Sequence, residues 1–284
     1  MRLSRVLLLC LLAHAFVPFV DGQAVSGPRT IVVRSGSLKL RALVWRPKGR
    51  GPFPAILFSP GSGRNPQPEI LGPLFAKHGY VFLGLFRRGQ GLSADQGDES
   101  GSLVERERAA KGDVAANRLQ LRLLETDQLE DELSGLAFLR SLRSVNPRRV
   151  AVVGHSFGGS LALLLAERDK SLRAVVDFAG AAASWGRSSY LRERLISAAG
   201  KLTAPVFFIH AANDYSLTPG QALAAELARL GKPHRLRVFP AFGQTVNEGH
   251  NFIYLSVATW EREVFAFLDE HTSSGKAGER ARSN

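Results

Sequence analysis

Cysteine is almost absent from this sequence: of 284 residues, only Cys10 is a cysteine, and it lies in the N-terminal apolar segment. The chain beyond that segment therefore has no disulfide bond, no cysteine nucleophile and no cysteine metal ligand. The leucines directly before Cys10 also differ from the small residues expected before a lipid-modified cysteine. The folded part of the protein has to be stabilised by its core rather than by cross-links.

The sequence also lacks the patterns of several ligand-dependent classes of protein. No His, Asp and Glu residues recur at metal-ligand spacing, and no glycine-rich turn resembles a dinucleotide-binding fingerprint. Internal repeats and long low-complexity runs are absent as well. We therefore expect neither a metal ion nor a cofactor, and one globular domain rather than a repeat array.

Acidic residues are fewer than basic ones: the sequence has 25 Asp and Glu and 37 Lys and Arg, which gives a formal net charge of +12. Such a charge can indicate binding to nucleic acid or to an anionic surface. Here the arginines are spread along the chain among acidic residues, and no nucleic-acid-binding motif accompanies them. We therefore expect no nucleic-acid partner; a steep salt dependence of DNA retention would contradict this.

The two ends of the chain differ in composition from the rest. Residues 1–22 have the pattern of a secretory signal peptide, with two arginines before an apolar run and candidate cleavage sites after Ala15 and near the end of this segment. His14 and Pro18 interrupt the run, so it is marginal as a membrane span, and an uncleaved anchor is the alternative. We expect secretion to the periplasm or medium without a stable membrane span. Residues 272–284 are expected to form a disordered tail.

Between these ends, residues 28–271 are predicted to form one α/β domain. A β-hairpin is predicted at 30–45, and short apolar strands are predicted at 55–58, 80–86, 150–153, 174–178, 204–210 and 236–239. Helical patterns alternate with these strands at 69–78, 127–142, 219–230 and 252–270. This alternation predicts a mostly parallel central sheet with helices on both faces.

The segment 94–126 is predicted to be an insertion in this domain. It is heavily charged and less regular than its neighbours, with helical spacing only near its end, at Leu119, Leu123 and Leu124. We expect this insertion to lie near the mouth of the functional site. A solvated helical excursion is the alternative.

The most specific motif is Gly154-His155-Ser156-Phe157-Gly158, which lies between strand 150–153 and a helical pattern. In that context Gly-x-Ser-x-Gly forms a sharp turn that strains the serine backbone, so the neighbouring residues must be small. The turn holds the Ser156 hydroxyl beyond the edge of a sheet, at a helix N-terminus suited to a developing oxyanion. Ser156 is therefore the predicted nucleophile, with Phe157 in the oxyanion hole. A turn without chemistry is the alternative.

A serine hydroxyl is a weak nucleophile until an imidazole accepts its proton, and a carboxylate must orient that imidazole. Asp214 follows strand 204–210 and is the predicted acid, whereas Asp177 at the end of strand 174–178 is the alternative. His250 lies in a late loop before the last helix and is the predicted base. Four other histidines are in or beside regular elements and are expected to have packing or surface roles: His78, His155, His210 and His234.

With these residues the chain resembles the α/β-hydrolase superfamily, in which the triad follows the order Ser, Asp, His. It is most similar to the branch of dienelactone hydrolases and related exported esterases. The motifs that carry the resemblance lie at 59–63, 87–93, 154–159, 212–214 and 249–252. The resemblance implies a serine hydrolase that cleaves small carboxylic esters through an acyl-enzyme. Dienelactone hydrolases proper use a cysteine nucleophile, and this chain has Ser156.

The turn Ser59-Pro60-Gly61-Ser62-Gly63 follows strand 55–58, where hydrolases of this architecture place the second oxyanion N–H. It is similar to the turn of bacterial cutinase-like polyesterases, in which the residue after Pro-Gly is the donor. This likeness implies Ser62 as the donor, with Gly61 as the alternative. The motif 87–93 is expected to brace a loop rather than to touch substrate.

Two other functions remain open at this stage. The same triad cleaves amides, so a serine peptidase acting on short peptides is the main alternative to an esterase. A non-catalytic binding protein on the same fold is the second alternative, which labelling by a serine-directed phosphonate would exclude. The pattern of residues does not indicate the oligomeric state.

Overall fold

The computed structural model describes residues 27–273. The predicted signal peptide lies outside the described residues, and so does most of the predicted tail. The last helix continues to Thr272, one residue beyond the predicted end of the domain, because the Thr272 hydroxyl bonds to the Leu268 carbonyl and to Tyr80. Within residues 27–273, we find no helix with the length and apolar character needed to cross a membrane.

An eight-stranded sheet forms the centre of the molecule, in the order β1-β2-β4-β3-β5-β6-β7-β8. The strands are β1 (Arg29–Ser35), β2 (Leu38–Trp45), β3 (Phe53–Ser59), β4 (Val81–Phe86), β5 (Val145–His155), β6 (Val175–Phe178), β7 (Val206–Ala211) and β8 (His234–Phe239). β1 and β2 form the predicted antiparallel hairpin, β2 pairs antiparallel with β4, and all strands from β3 to β8 run parallel. The predicted α/β-hydrolase fold is confirmed.

Helices cover both faces of this sheet. The described residues contain α1 (Pro68–Lys77), α2 (Ser100–Glu125), α3 (Asp127–Ser141), α4 (Phe157–Arg168), α5 (Ser189–Lys201), α6 (Thr218–Arg229), α7 (Val246–His250), α8 (Phe252–Leu255) and α9 (Val257–Thr272). Side chains of α3, α4, α5 and α6 form the core on one face, and those of α1, α8 and α9 form the core on the other.

The central strand β5 is apolar at successive positions because both of its faces are buried. Val150 and Val152 pack into the core on the side of α4, whereas Ala151 and Val153 pack into the core that contains Trp260 of α9. A parallel strand covered on both faces cannot alternate apolar with polar residues. Since parallel strands end at the same edge of a sheet, the residues that follow β5, β7 and β8 meet there.

The segment 94–126 is more helical than predicted, because α2 begins at Ser100 and continues through most of the charged stretch. The Glu99 carboxylate accepts hydrogen bonds from the N–H groups of Gly101 and Ser102, which caps the helix and places a negative charge at its positive end. Gly112 has φ 80° and divides α2 into two helical parts.

The first turn of α2 lies beside the turn that carries Ser62. Gly101, in its first turn, lies against the carbonyl oxygen of Ser62, so that a Cβ atom there would be 3.4 Å from that oxygen. Further along, the side chain of Asn117 donates to the carbonyl of Arg187, in the segment after β6, at 2.7 Å. α2 therefore connects the turn after β3 with the segment after β6.

The region around His250 is also more helical than predicted. His250 is predicted to lie in a loop, but it is the last residue of the short helix α7. Thr245 and Glu248 form a capping box, in which each side chain accepts a hydrogen bond from the other residue's N–H. The predicted closing helix is interrupted at Ser256, which separates α8 from α9.

Candidate active site

Ser156 occupies a sharp turn between the end of β5 and the start of α4. Its backbone dihedrals are φ 57° and ψ −118°, a strained conformation for a residue with a Cβ atom. A Cβ at Gly158 would clash with the carbonyl oxygens of Ser59 and Pro60, and a Cβ at Gly154 would clash with the backbone of Gly158. The small residues of the motif therefore let the helix pack closely enough to hold Ser156 in this conformation.

The structure brings the three predicted triad residues together. The Ser156 hydroxyl lies 2.9 Å from His250 Nε2, and His250 Nδ1 lies 2.7 Å from Asp214 Oδ1. His250 and Asp214 are buried, whereas Ser156 is partly accessible. Ser156 is thus the most accessible of the three, and the Asp214 carboxylate lies behind the imidazole of His250.

Asp214 is held by more than His250. Its second oxygen, Oδ2, accepts from His210 Nδ1 at 2.8 Å, and the N–H of Tyr215 donates to Oδ1 at 2.7 Å. Burial alone would raise the pKa of Asp214, but the hydrogen bonds from His210 and His250 outweigh it and hold this pKa below its ordinary value. Asp214 therefore stays ionised and can stabilise an imidazolium at His250.

His210 is a residue of the site that the sequence pattern assigns only to packing or surface. It lies on β7 four residues before Asp214, fully buried, with its ring against the backbone of α6 at Gly220. The sequence does contain a signal for this role, because His210 lies near the end of the strand that Asp214 follows. The strand end and the following turn bring the two side chains back into contact.

Asp177, the alternative acid, does not contact His250. Its carboxylate packs against Gly159 and Gly180, and Oδ1 has no hydrogen-bond partner among the described residues. Burial raises the pKa of Asp177 to about 7. A carboxyl group in this position cannot orient the imidazole of His250.

The turn after β3 lies next to the nucleophile. A Cβ atom at Gly61 would be 3.6 Å from the Cβ of Ser156, so the backbone of this turn borders the position of a bound carbonyl. Among residues 27–273, the turn, loop and cap hydrogen bonds include none from the N–H group of Ser62 or Phe157. The assignment of these two N–H groups to the oxyanion hole stays a prediction.

A buried arginine fixes the turn that carries Ser62. Arg87 Nη2 donates to the carbonyl oxygens of Pro60 at 3.0 Å and Gly61 at 2.9 Å. Gln90 adds bonds from Nε2 to the carbonyls of Gly61 at 2.8 Å and Gly63 at 2.7 Å. These bonds fix three carbonyl oxygens of the turn that carries Ser62. The motif 87–93 braces the loop, in agreement with its interpretation from the sequence.

His155 supports the base from the other side. Its Nε2–H donates to the backbone carbonyl of His250 at 3.0 Å, and the hydroxyl of Tyr254 donates to its Nδ1 at 3.4 Å. Burial lowers the pKa of His155 to about 3, so the imidazole is neutral at physiological pH. His155 thus anchors the backbone of the base without adding a charge beside it.

The arrangement is suited to nucleophilic catalysis with proton transfer. Ser156, His250 and Asp214 form a continuous chain of hydrogen bonds from nucleophile to base to orienting acid. Among residues 27–273, no group of three or more His, Cys, Asp or Glu side chains is placed to hold a metal ion. The three side chains have the arrangement that nucleophilic attack on a carbonyl carbon with proton transfer requires.

Comparison with known proteins identifies the family. The family described as "Dienelactone hydrolase family" matches residues 40–269, which is most of the chain and contains the three triad residues. The chain belongs to this family. As a dienelactone hydrolase family member, it carries serine rather than cysteine at the turn after β5. The predicted resemblance is confirmed.

One curated relative of this dienelactone hydrolase family member is an esterase. The chain is 34% identical over 129 residues to Esterase EstD from Thermotoga maritima, a match that covers 44% of this chain and 26% of the esterase. The match therefore spans about a quarter of the length of that relative.

Solved structures share the fold of this dienelactone hydrolase family member. A putative dienelactone hydrolase from Klebsiella pneumoniae subsp. pneumoniae MGH 78578 superposes with a TM-score of 0.61 at 19% identity, covering 86% of this chain and 99% of that chain. The acylaminoacyl peptidase of Pyrococcus horikoshii superposes with a TM-score of 0.63 at 19% identity, covering 89% of this chain and 43% of that chain. At these identities the likeness shows the fold alone.

Proposed function

We propose that this protein is a serine hydrolase that cleaves carboxylic esters through an acyl-enzyme intermediate. The observation that carries the proposal is the hydrogen-bonded chain from the Ser156 hydroxyl through His250 to Asp214. Membership of the dienelactone hydrolase family supports a hydrolase, and similarity to Esterase EstD supports an ester as the substrate.

In the first half of the proposed reaction, the Ser156 oxygen attacks the ester carbonyl carbon while His250 Nε2 accepts the serine proton. The carbonyl oxygen becomes an oxyanion, which the N–H groups of Ser62 and Phe157 stabilise. The tetrahedral intermediate then collapses, the bond to the alcohol oxygen breaks, and His250 donates its proton to that oxygen. The alcohol leaves and the acyl group remains on Ser156.

In the second half, a water molecule takes the place of the alcohol. His250 accepts a proton from the water, and the resulting hydroxide attacks the acyl carbon. The second tetrahedral intermediate collapses, His250 returns the proton to the Ser156 oxygen, and the carboxylic acid is released. Throughout the cycle Asp214 stays ionised and stabilises the imidazolium form of His250.

A screen of p-nitrophenyl esters of graded acyl length, with peptide p-nitroanilides alongside, tests this function. We expect the purified protein to hydrolyse short-chain esters faster than the anilides, and to keep its full activity after exhaustive dialysis against EDTA. The physical reason is that the three side chains supply the nucleophile, the base and the acid.

Three results of this screen would contradict the proposal. Activity that disappears with EDTA and returns only with a divalent metal would show that the triad is insufficient. Preferential cleavage of the anilides would favour the peptidase function. Absence of both activities, together with no labelling of Ser156 by a fluorophosphonate, would favour a non-catalytic binding protein.

We also propose that the protein is exported, on the strength of the signal-peptide pattern in residues 1–22. N-terminal sequencing of the protein from its native host is expected to give a first residue between Ala15 and Ser26. An intact Met1 on protein purified from the cytoplasm would contradict export.

A further inference from the structure

A pocket of about 400 Å³ opens beside the nucleophile, and the triad does not use it. Gly61 and His155 form its inner end, and a Cβ at Gly61 would lie 3.5 Å from His155 Nδ1 and 3.6 Å from the Ser156 Cβ. Its walls come from two segments, the turn after β3 and the helices around His250. Four of the lining side chains are carboxamides: Asn65, Gln67, Asn247 and Asn251.

The pocket is uncharged. Its other described lining residues are glycine, proline, leucine, His155 and Tyr254, so no Asp, Glu, Lys or Arg is among them. Burial keeps His155 neutral, and burial also raises the pKa of the Tyr254 phenol above its ordinary value, so that it stays protonated. A charged ligand group would lose hydration here without gaining a counter-charge. The pocket therefore favours a neutral ligand.

The carboxamides present both donors and acceptors to this pocket. Asn251 Nδ2 donates to the carbonyl of Asn247 at 2.8 Å and to its Oδ1 at 3.1 Å, which leaves Asn251 Oδ1 and the Asn247 amide hydrogens for a ligand. Gln67 precedes α1 but makes no side-chain capping bond. A hydroxyl group likewise both donates and accepts, so adjacent hydroxyls of a ligand match these paired functions.

The position of the pocket relative to His250 indicates which half of the ester it receives. His250 protonates the leaving oxygen, so the alcohol has to lie on the His250 side of the scissile bond. Asn247 lies on α7 together with His250, and Asn251 directly follows it. The two asparagines therefore belong to the same segment as His250, the residue that protonates the departing alcohol in the proposed reaction.

We propose that this pocket binds the alcohol moiety of the substrate, and that this moiety is an uncharged polyhydroxy alcohol such as a glycerol or sugar unit. The proposal rests on the proposed ester hydrolysis and adds its substrate class. Pro66 and Leu255 lie among the pocket's lining residues and offer apolar surface to the C–H groups of such an alcohol.

Four acetate esters that share the acyl group but differ in the alcohol test the proposal with the full-length protein. The alcohols are glycerol, propanol, choline and glycolate, and p-nitrophenyl acetate serves as the reference for the triad. We expect kcat/KM for glycerol monoacetate to exceed that for each of the other three alkyl acetates by ~10-fold, the value of one or two net hydrogen bonds.

Variants connect this preference to the pocket. Gln67→Leu is expected to raise the ratio of KM for glycerol monoacetate to KM for propyl acetate by ~3–10-fold, because the lost hydrogen-bonding group has a partner in glycerol and none in the propyl chain. Gln221→Leu is the matched control, since Gln221 is an exposed glutamine on α6 outside the pocket, and neither constant should change. Asn247→Asp keeps the acceptor for Asn251 and should raise the ratio of choline to glycerol ester turnover by ~10-fold.

The outcomes separate this proposal from the proposed function. If p-nitrophenyl acetate is hydrolysed but propyl, choline or glycolate acetate is as good a substrate as glycerol monoacetate, the pocket assignment is overturned and ester hydrolysis stands. An unchanged KM ratio in Gln67→Leu overturns it as well. If none of the esters is hydrolysed by a folded protein, the proposed function fails, and the substrate class fails with it.

Discussion

Ser156→Ala is expected to lower kcat for p-nitrophenyl ester hydrolysis by at least ~10³-fold, because triad members act as a unit and no other hydroxyl can replace the nucleophile. The protein should stay folded. Serine and alanine both carry a Cβ atom, so the substitution adds no strain to the backbone at φ 57°. Circular dichroism and steady-state kinetics on the same preparation measure the two properties.

Ser197→Ala is a suitable control, because Ser197 is exposed on α5 and has no contact with the triad. It should keep full activity, and a fluorophosphonate should label it as it labels the unmodified protein. A folded Ser156→Ala protein that still hydrolyses ester at more than a tenth of the original rate would show that Ser156 is not the nucleophile.

Asp214→Asn is expected to lower kcat by up to ~10⁴-fold. An amide at this position has one acceptor oxygen and one donor nitrogen, whereas both carboxylate oxygens accept, from His250, His210 and the Tyr215 N–H. If the amide nitrogen faces His250, the imidazole is held in the wrong tautomer. If the amide oxygen faces it, the imidazolium has lost its negative partner. Both orientations weaken the base, and the kcat of the purified variant measures the loss.

Asp177→Asn is the matched control for this change, since both residues are buried aspartates at the ends of neighbouring strands. Asp177 makes no contact with His250, and its raised pKa of about 7 means that a neutral side chain already fits its surroundings. We expect a small effect on kcat. An inactive, folded Asp177→Asn protein together with an active Asp214→Asn protein would show that the acid has been misassigned.

Much of the site can be predicted from the sequence because its parts lie in short, local patterns. The Gly-x-Ser-x-Gly turn requires small neighbours for steric reasons, and the close contacts around Gly154 and Gly158 show this requirement directly. Ser156, Asp214 and His250 can be expected to meet because they follow β5, β7 and β8, parallel strands that end at the same edge of the sheet.

Other features depend on contacts between distant segments and are not visible in local patterns. The sequence leaves Asp177 open as the acid, and only the side-chain geometry brings Asp214 rather than Asp177 against His250. The role of Arg87 likewise requires the turn after β3 to lie beside the end of β4. Its five N–H donors can satisfy several carbonyl oxygens only once these segments are adjacent.

Two segments, now α2 and α7, are more helical than the sequence predicts, and each helix begins with a side-chain cap. The charged stretch 94–126 has little apolar periodicity, yet Glu99 caps α2, and the helix packs against its neighbours. The capping box of Thr245 and Glu248 similarly begins α7, a short helix that ends at His250, where a loop is predicted. Such terminal interactions contribute about 1 kcal/mol, enough to select a helix where the apolar pattern is weak.

The sequence by itself determined the class of fold, the candidate nucleophile and the candidate base, because strand periodicity and the steric demands of the turn act over a few neighbouring residues. The tertiary structure alone decided which aspartate orients His250, that His210 supports this aspartate, and that uncharged carboxamides surround the pocket beside Ser156. The reason is that these properties depend on distances and burial between segments far apart in the chain, which no local pattern encodes.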